Sequence, residues 1–238
     1  IGGSNGSFYA IDIKSGKLRW EFTGVKGYIE TRPLIYDGKV LFGAWDNNLY
    51  ALDKATGKKL WSWDANLTRM HFSPAAVWPV AADGRVFVTA PDRMMSAINA
   101  TTGETLWRTN QSVVRETIGL SDDKQRLYSK TMQDSLVCYA ASSEPKELWA
   151  CNVGFGYEHA PSMPVEKDGV VFSKDGTKLI VFPSGRSGDY QIPDGTVSVG
   201  DYAFYYCVNV SSITVPGSVR SLGEGADRKS TRLNSSHT

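Results

Sequence analysis

Four tryptophans, Trp20, Trp61, Trp107 and Trp149, stand 41, 46 and 42 residues apart, and each closes the same short piece of chain. The fullest copy runs from Asp46 to Trp61. In it, Leu49, Tyr50, Ala51 and Leu52 form a continuous apolar run, the pattern of a strand buried on both faces. Asp53 and Thr56 carry oxygens suited to bonding the backbone of a reversal, and Gly57 supplies the positive φ that such a turn needs. Lys58 to Trp61 return as the partner strand. Phe8-Tyr9-Ala10-Ile11-Asp12 with Gly16 and Trp20, and Ser96-Ala97-Ile98-Asn99 with Thr102, Gly103 and Trp107, repeat the device. Val137-Cys138-Tyr139-Ala140 leads to Pro145 and Trp149, with the Thr-Gly pair lost.

Between these hairpins lie others built on Asp-Gly, a two-residue turn signal. Pro33 to Gly43 turns at Asp37-Gly38, and Pro79 to Thr89 at Asp83-Gly84. Ile118 to Lys130 is a looser copy around Asp122-Asp123, and Pro164 to Phe172 turns at Asp168-Gly169. Two strands around each Asp-Gly and two around each Asp-x-x-Thr-Gly fill a period in the forties. Repeats of that length with four short strands build β-propeller blades. The expectation is an all-β chain holding about four four-stranded blades, an incomplete ring. With 41% hydrophobic residues, 23 glycines and 10 prolines, the composition suits a turn-rich all-β protein. The net charge of +1 gives no reason to expect nucleic acid as a partner. No apolar run is long enough to span a bilayer as a helix. Cys138, Cys151 and Cys207 are too few for a disulfide framework. They read as small buried hydrophobes, with a Cys138–Cys151 bridge as the open alternative.

The pattern Leu-Tyr-Ala-Leu-Asp-x-x-Thr-Gly-x-x-x-Trp resembles the pyrroloquinoline-quinone (PQQ) enzyme repeat. That repeat builds quinoprotein dehydrogenase propellers and also non-catalytic bacterial propellers of the outer-membrane assembly lipoprotein type. The resemblance covers residues 1–172. It implies that Trp20, Trp61, Trp107 and Trp149 wedge between adjacent blades, with Gly16, Gly57 and Gly103 as structural repeat positions.

At Ser173 the text changes. Ile192-Pro193 recurs as Val215-Pro216, and Val199-Gly200 as Leu222-Gly223, both at a spacing of 23 residues. Periods of 20–29 residues with regularly placed aliphatics belong to leucine-rich-repeat solenoids. The wording, with Ala203-Phe204 and then Cys207, resembles the BspA-like leucine-rich repeats of bacterial surface proteins over residues 173–226. Residues 227–238, Asp-Arg-Lys-Ser-Thr-Arg-Leu-Asn-Ser-Ser-His-Thr, resemble translated sequencing adapter and read as a disordered, non-native tail. Two truncated repeat arrays meeting near residues 168–173 raise the expectation of a chimeric reading frame, with a true propeller–solenoid fusion as the alternative. The opening at Ile1, part-way into a turn, reads as a cut from a longer chain, so a missing leader carries no information on localisation.

Chemistry-bearing residues are sparse. Arg32, His71, Arg115, Glu116, Glu158 and His159 each follow a repeat tryptophan at a similar distance, where the innermost strand of a propeller lines its channel. They form a candidate ligand-binding funnel; otherwise they satisfy one another and water. Trp45, Trp63 and Trp78 read as inter-blade packing or as stacking platforms for sugars or peptides. PQQ with Ca²⁺ would need oxygen ligands and a carboxylate beside the quinone. The PQQ family's adjacent-cysteine pair has no counterpart here, so neither a cofactor nor a catalytic or metal-binding residue is expected. The reading is a non-catalytic binding or scaffold protein of the bacterial cell envelope, extracytoplasmic by resemblance, with protein or glycan ligands and self-association through open blade edges. The alternatives are an accessory propeller of a metallophosphoesterase-type enzyme and the remnant of a PQQ-dependent dehydrogenase.

Overall fold

Each Asp-Gly pair places two consecutive residues in the left-handed region, which matches the right-handed twist of the strands it joins. Asp37 and Gly38 have φ of 45° and 71°, Asp83 and Gly84 46° and 74°, and Asp168 and Gly169 52° and 77°. The hairpins so nucleated belong to a computed structural model that describes residues 1–64, 78–89, 93–112, 114, 118–131, 133, 135–152, 165–173, 175–183, 186–227 and 233–235. Among the described residues the chain forms strands and turns and no helix.

The first sheet is two-stranded, β1 (Phe8–Ile11) and β2 (Leu18–Phe22). Three antiparallel four-stranded meanders follow. One is β3 (Leu34–Tyr36), β4 (Lys39–Gly43), β5 (Asn48–Asp53) and β6 (Lys59–Asp64). The next is β7 (Val80–Ala82), β8 (Arg85–Val88), β9 (Met95–Asn99) and β10 (Thr105–Thr109). The third is β11 (Gly119–Leu120), β12 (Arg126–Lys130), β13 (Ser135–Ala140) and β14 (Glu147–Asn152). These are propeller blades, as the tryptophan period predicts. The chain divides into two units, residues 1–118 with 140–146, and residues 119–139 with 147–238.

The repeat turns explain their own sequence. The Asp53 carboxylate accepts from the backbone N–H of Ala55 at 3.1 Å and of Thr56 at 2.7 Å, and from the Thr56 hydroxyl at 2.7 Å. Asp12 does the same with Lys14 and Ser15, and Asn99 with Thr101 and Thr102. Each returning tryptophan lands opposite a small residue: Trp20 faces Ala10, Trp61 Ala51, Trp107 Ala97 and Trp149 Cys138. The register breaks beside each of these pairs, a bulge that tightens the local twist.

Within the first unit the tryptophan then reaches its neighbour. The Trp20 indole N–H donates to the Lys54 carbonyl at 3.1 Å, Trp61 to Ala100 at 3.1 Å and Trp107 to Ser142 at 3.0 Å. Lys54 and Ala100 in turn donate their backbone N–H to Gly38 and Gly84, both at 2.9 Å. One residue thus ties its own blade's two hairpins together and receives the preceding blade. Trp63, expected either as packing or as a platform, is buried and donates to Thr105 of the next blade at 2.8 Å.

In the second unit, β15 (Val165–Lys167), β16 (Val170–Phe172) and β17 (Lys178–Val181) run antiparallel like the start of another blade. The fourth position is filled differently. With β18 at Gly188–Gln191, β19 (Ser198–Val199) pairs parallel to β17. With β20 at Val210–Val215, β21 (Ser221–Leu222) pairs parallel to β19 at an offset of 23 residues. β18 and β20 pair parallel at the same offset over Asp189–Ser212, Tyr190–Ile213 and Gln191–Thr214. Side chains step likewise: Ser212 donates to Asp189, Ser218 accepts from Gly195, and Asp201 accepts from Glu224, each across 23 residues. Val170, Phe172, Leu179, Ile192, Val199, Phe204, Cys207 and Ile213 share one core. The expected boundary at 172/173 therefore falls inside a single five-stranded sheet. Part of the tail, expected to be disordered, differs: β22 (Leu233–Ser235) pairs parallel with β20, whose open backbone edge templates it. None of the three cysteines is in a disulfide; Cys138 lies opposite Trp149 and Cys151 opposite Leu136, so the alternative Cys138–Cys151 bridge does not form. Burial pushes the Cys151 thiol up to about 12 and Cys207 up to about 11.

A Cβ built on Gly57 would meet the Trp20 ring at 2.6 Å and one on Gly103 the Trp61 ring at 2.8 Å, whereas one on Gly16 meets nothing within 4 Å. All three glycines have positive φ. Gly57→Ala therefore carries both backbone strain and overpacking, about 3 kcal/mol together, and Gly16→Ala only the strain, about 1 kcal/mol. Thermal melts of the two variants are expected to differ by roughly 4–8 °C in midpoint; equal midpoints would mean that the tryptophan contact carries no stability.

Candidate functional site

Of the funnel expected from sequence, Arg32 is the residue that the structure describes. His71, Arg115, Glu116, Glu158 and His159 lie outside the described residues. Arg32 is exposed, and its guanidinium stands 5.8 Å from the centroid of the Trp78 ring, within cation–π range. Around it the segment before β3 and the turn before β5 make a polar rim on the first unit. The Trp45 indole donates to the Glu30 carboxylate at 2.8 Å, and the Trp45 backbone N–H to Tyr28 at 3.0 Å. Asp46 accepts from the Lys26 backbone at 3.0 Å and from the Tyr50 hydroxyl at 2.6 Å. Burial, and then the Asp46 carboxylate, push the Tyr50 hydroxyl far above its ordinary pKa, so it stays a donor. Asp46 also accepts from Asn48 at 3.2 Å, closing the turn. The rim offers two indole faces and hydrogen-bonding edges, which suit stacking and polar recognition.

Sequence reasoning missed a second surface, on the 23-residue stack. Tyr202 and Tyr205 meet edge to face with centroids 5.9 Å apart, and Tyr205 and Tyr206 at 4.6 Å. Tyr205 is 43% exposed, Tyr206 47% and Val208 58%. Tyr202 and Tyr206 hold φ of 55° and 57°, a costly conformation for bulky residues, at turns where their carbonyls accept from Tyr205 and Val208. The signal was three tyrosines within five residues, Tyr202 to Tyr206.

Among the described residues no group of three or more His, Cys, Asp or Glu is disposed to hold a metal ion. The perturbed carboxylates are engaged in turns: Asp12 with Arg19 and Ser15, Asp53 with Thr56, Asp123 with Ser121, and Asp175 with Ser173 and Thr177. Among the described residues, then, no histidine–cysteine–carboxylate set assembles that would hold the Ca²⁺ of a PQQ site. No helix among them is long and apolar enough to cross a membrane.

Blades of this kind define a class, the β-propellers with PQQ-type repeats. The sequence family described as outer membrane protein assembly factor BamB matches residues 1–78 and 68–122, half of the chain, and the chain belongs to that family. A quinohemoprotein alcohol dehydrogenase of Comamonas testosteroni is 40% identical over a stretch covering 22% of this chain and 9% of that protein. BamB from Moraxella catarrhalis superposes with a TM-score of 0.54 at 19% identity, over 73% of this chain and 50% of that one. The quinohemoprotein alcohol dehydrogenase ADHIIG of Pseudomonas putida superposes with a TM-score of 0.53 at 16% identity, over 72% and 36%. The chain thus spans half of the solved BamB chain and a small part of the curated dehydrogenase. These superpositions show the shared propeller fold.

The turn carboxylates make stability depend on acid. The hydrogen bonds from Thr56 hold the Asp53 carboxyl below its ordinary value, and Arg19 and Ser15 do so for Asp12. A depressed folded pKa contributes stability above the unfolded value of about 4, and that stability is lost as pH falls through the folded pKa. Asp53→Asn keeps the turn, as Asn99 does at the equivalent position. It is expected to flatten the fall in urea midpoint below about pH 4 and leave the midpoint at pH 7 little changed. An acid limb as steep as that of the parent chain would contradict this role for Asp53.

Proposed function

We propose that the chain is a non-catalytic binding scaffold of the bacterial cell envelope, extracytoplasmic, that engages protein partners on surfaces held by a rigid repeat framework. The observation that carries this reading is the match of residues 1–122 to the outer membrane protein assembly factor family. The roles of the repeat residues agree with it: tryptophan, Asp/Asn and glycine are consumed by blade architecture, so recognition falls to the residues between them. Residues 173–226 add a second element. Their 23-residue parallel offsets and their wording support a BspA-like leucine-rich-repeat segment, whose stacked coils give an extended face for binding. On that face Tyr205, Tyr206 and Val208 supply exposed apolar and aromatic area, the composition enriched where proteins bind. The channel candidates Arg32, His71, Arg115, Glu116, Glu158 and His159 remain a proposed ligand-binding lining.

The test titrates the full chain with a urea-diluted outer-membrane β-barrel polypeptide and, separately, with solubilised peptidoglycan fragments, by biolayer interferometry. Saturable binding to the polypeptide is expected. The double substitution Tyr205→Ala, Tyr206→Ala should weaken it at least about tenfold with an unchanged far-ultraviolet spectrum. Binding to glycan alone, or to neither, overturns the protein-binding reading.

A second reading, the remnant of a PQQ-dependent dehydrogenase propeller, is favoured by the 40% identical stretch. It calls for calcium-dependent quenching of the protein's fluorescence by the quinone. If quenching is unaffected by chelating calcium, that reading fails.

A further inference from the structure

The turns that close the strands of the second unit also enclose a cleft of about 350 Å³, a volume in the range of small-molecule sites. One wall is the β15–β16 hairpin and the turn after it, with Lys167, Phe172, Asp175 and Gly176. The other is the turn between β18 and β19, with Pro193, Asp194 and Gly195.

Both walls are held by hydrogen bonds outside the cleft. The Ser173 hydroxyl donates to Asp175 at 2.7 Å and accepts from the Lys178 backbone at 2.9 Å. The same Asp175 oxygen accepts from the Thr177 backbone at 3.1 Å and from its hydroxyl at 2.8 Å. These bonds hold the Asp175 carboxyl below its ordinary value, so it is ionised at neutral pH. On the other wall the Gly195 N–H donates to the Ser218 hydroxyl of the next coil at 3.2 Å. The Val197 and Ser198 N–H groups both donate to the Thr177 carbonyl, at 2.7 and 3.1 Å, which ties the two walls together. Gly176 and Gly195 have φ of 72° and 91°, and a Cβ on either would meet nothing within 4 Å. The walls are therefore bare backbone where they face open space.

Two charges are left over. Lys167 and Asp194 are exposed, and among the described residues neither the ammonium nor the carboxylate has a hydrogen bond or an ion pair. They stand on different walls of one cleft, with the apolar surfaces of Phe172 and Pro193 also in its lining.

We infer that this cleft binds a short peptide with both ends free, its ammonium at Asp194 and its carboxylate at Lys167. The chemistry follows from the unpaired charges. A simple cation would leave Lys167 unanswered beside it, and a simple anion would face the carboxylates of Asp175 and Asp194. A ligand with opposite charges at its two ends satisfies both walls through charge-assisted hydrogen bonds, which are the strong ones. The apolar lining accommodates an aliphatic side chain between those ends. The inference stands on the second unit alone and needs neither the Tyr205–Tyr206 surface nor the channel lining.

The experiment titrates the full chain, ¹⁵N-labelled, with L-alanyl-L-leucine, with its N-acetyl form and with its C-terminal amide. Saturable amide shifts at Gly176 and Gly195 are expected with the free dipeptide at or below about millimolar concentration. Blocking either end should weaken binding about tenfold, the worth of one hydrogen bond between charged groups. The losses should map onto separate residues. Lys167→Met should bind the amide as well as the free dipeptide, and Asp194→Asn should bind the N-acetyl form as well as the free dipeptide. Melting midpoints of both variants should match the parent, and the blocked peptides read out the same charges on the unaltered chain. No saturable shifts up to about ten millimolar, shifts that map elsewhere, or equal binding by either blocked peptide would overturn the inference.

Discussion

The contact on which the blades depend is an indole N–H bonded to a backbone carbonyl one repeat away, with the ring laid on a glycine. It does two jobs with one side chain. The ring removes a large apolar area from water, and the N–H fixes the angle at which the next blade arrives. The acceptor is itself held: the Lys54 N–H bonds Gly38, so the carbonyl offered to Trp20 cannot drift without breaking its own blade. Position is set by backbone on one side and by a rigid aromatic on the other, and rotamer freedom has little to spoil.

The glycine of each Thr-Gly pair is over-determined by this contact. The turn requires positive φ, and at Gly57 and Gly103 the neighbour's ring also occupies the place of a Cβ. The fourth copy shows the alternative. There the pair is replaced around Glu144-Pro145, the Trp107 bond moves to Ser142, and Ala140 closes the turn on Lys146. The joint survives the loss of its usual text because what it requires is a carbonyl at the right height.

Much of this is legible in the sequence, and the limits have physical reasons. Trp20, Trp61, Trp107 and Trp149 announced the period, and Asp37-Gly38 and Asp53 to Gly57 announced the turns, because these residues act locally. The alanines and cysteine opposite the tryptophans were in plain view but unread, since their meaning lies in cross-strand pairing. The role of the Lys54 carbonyl is invisible in principle, because every residue has a carbonyl. The 23-residue offset was read correctly as a period. That β17 serves as both the third strand of a blade and the first of a parallel stack was not, since nothing in Lys178–Val181 marks its second edge. At the candidate site, equivalent spacing nominated six residues, and only Arg32 falls among those described; the Tyr202–Tyr206 surface was hidden inside repeat wording.

The joint between blades has one further consequence, for how such chains arise. Its receiving half is a backbone carbonyl, with a glycine under the ring at Gly57 and Gly103, so it discriminates by shape and not by side-chain identity. A hairpin copied by gene duplication is therefore born already compatible with its parent on both sides, and needs no matched second change to fit. Repeat number can drift by whole blades while the surface residues diverge freely, and selection for a new partner never has to renegotiate the seam.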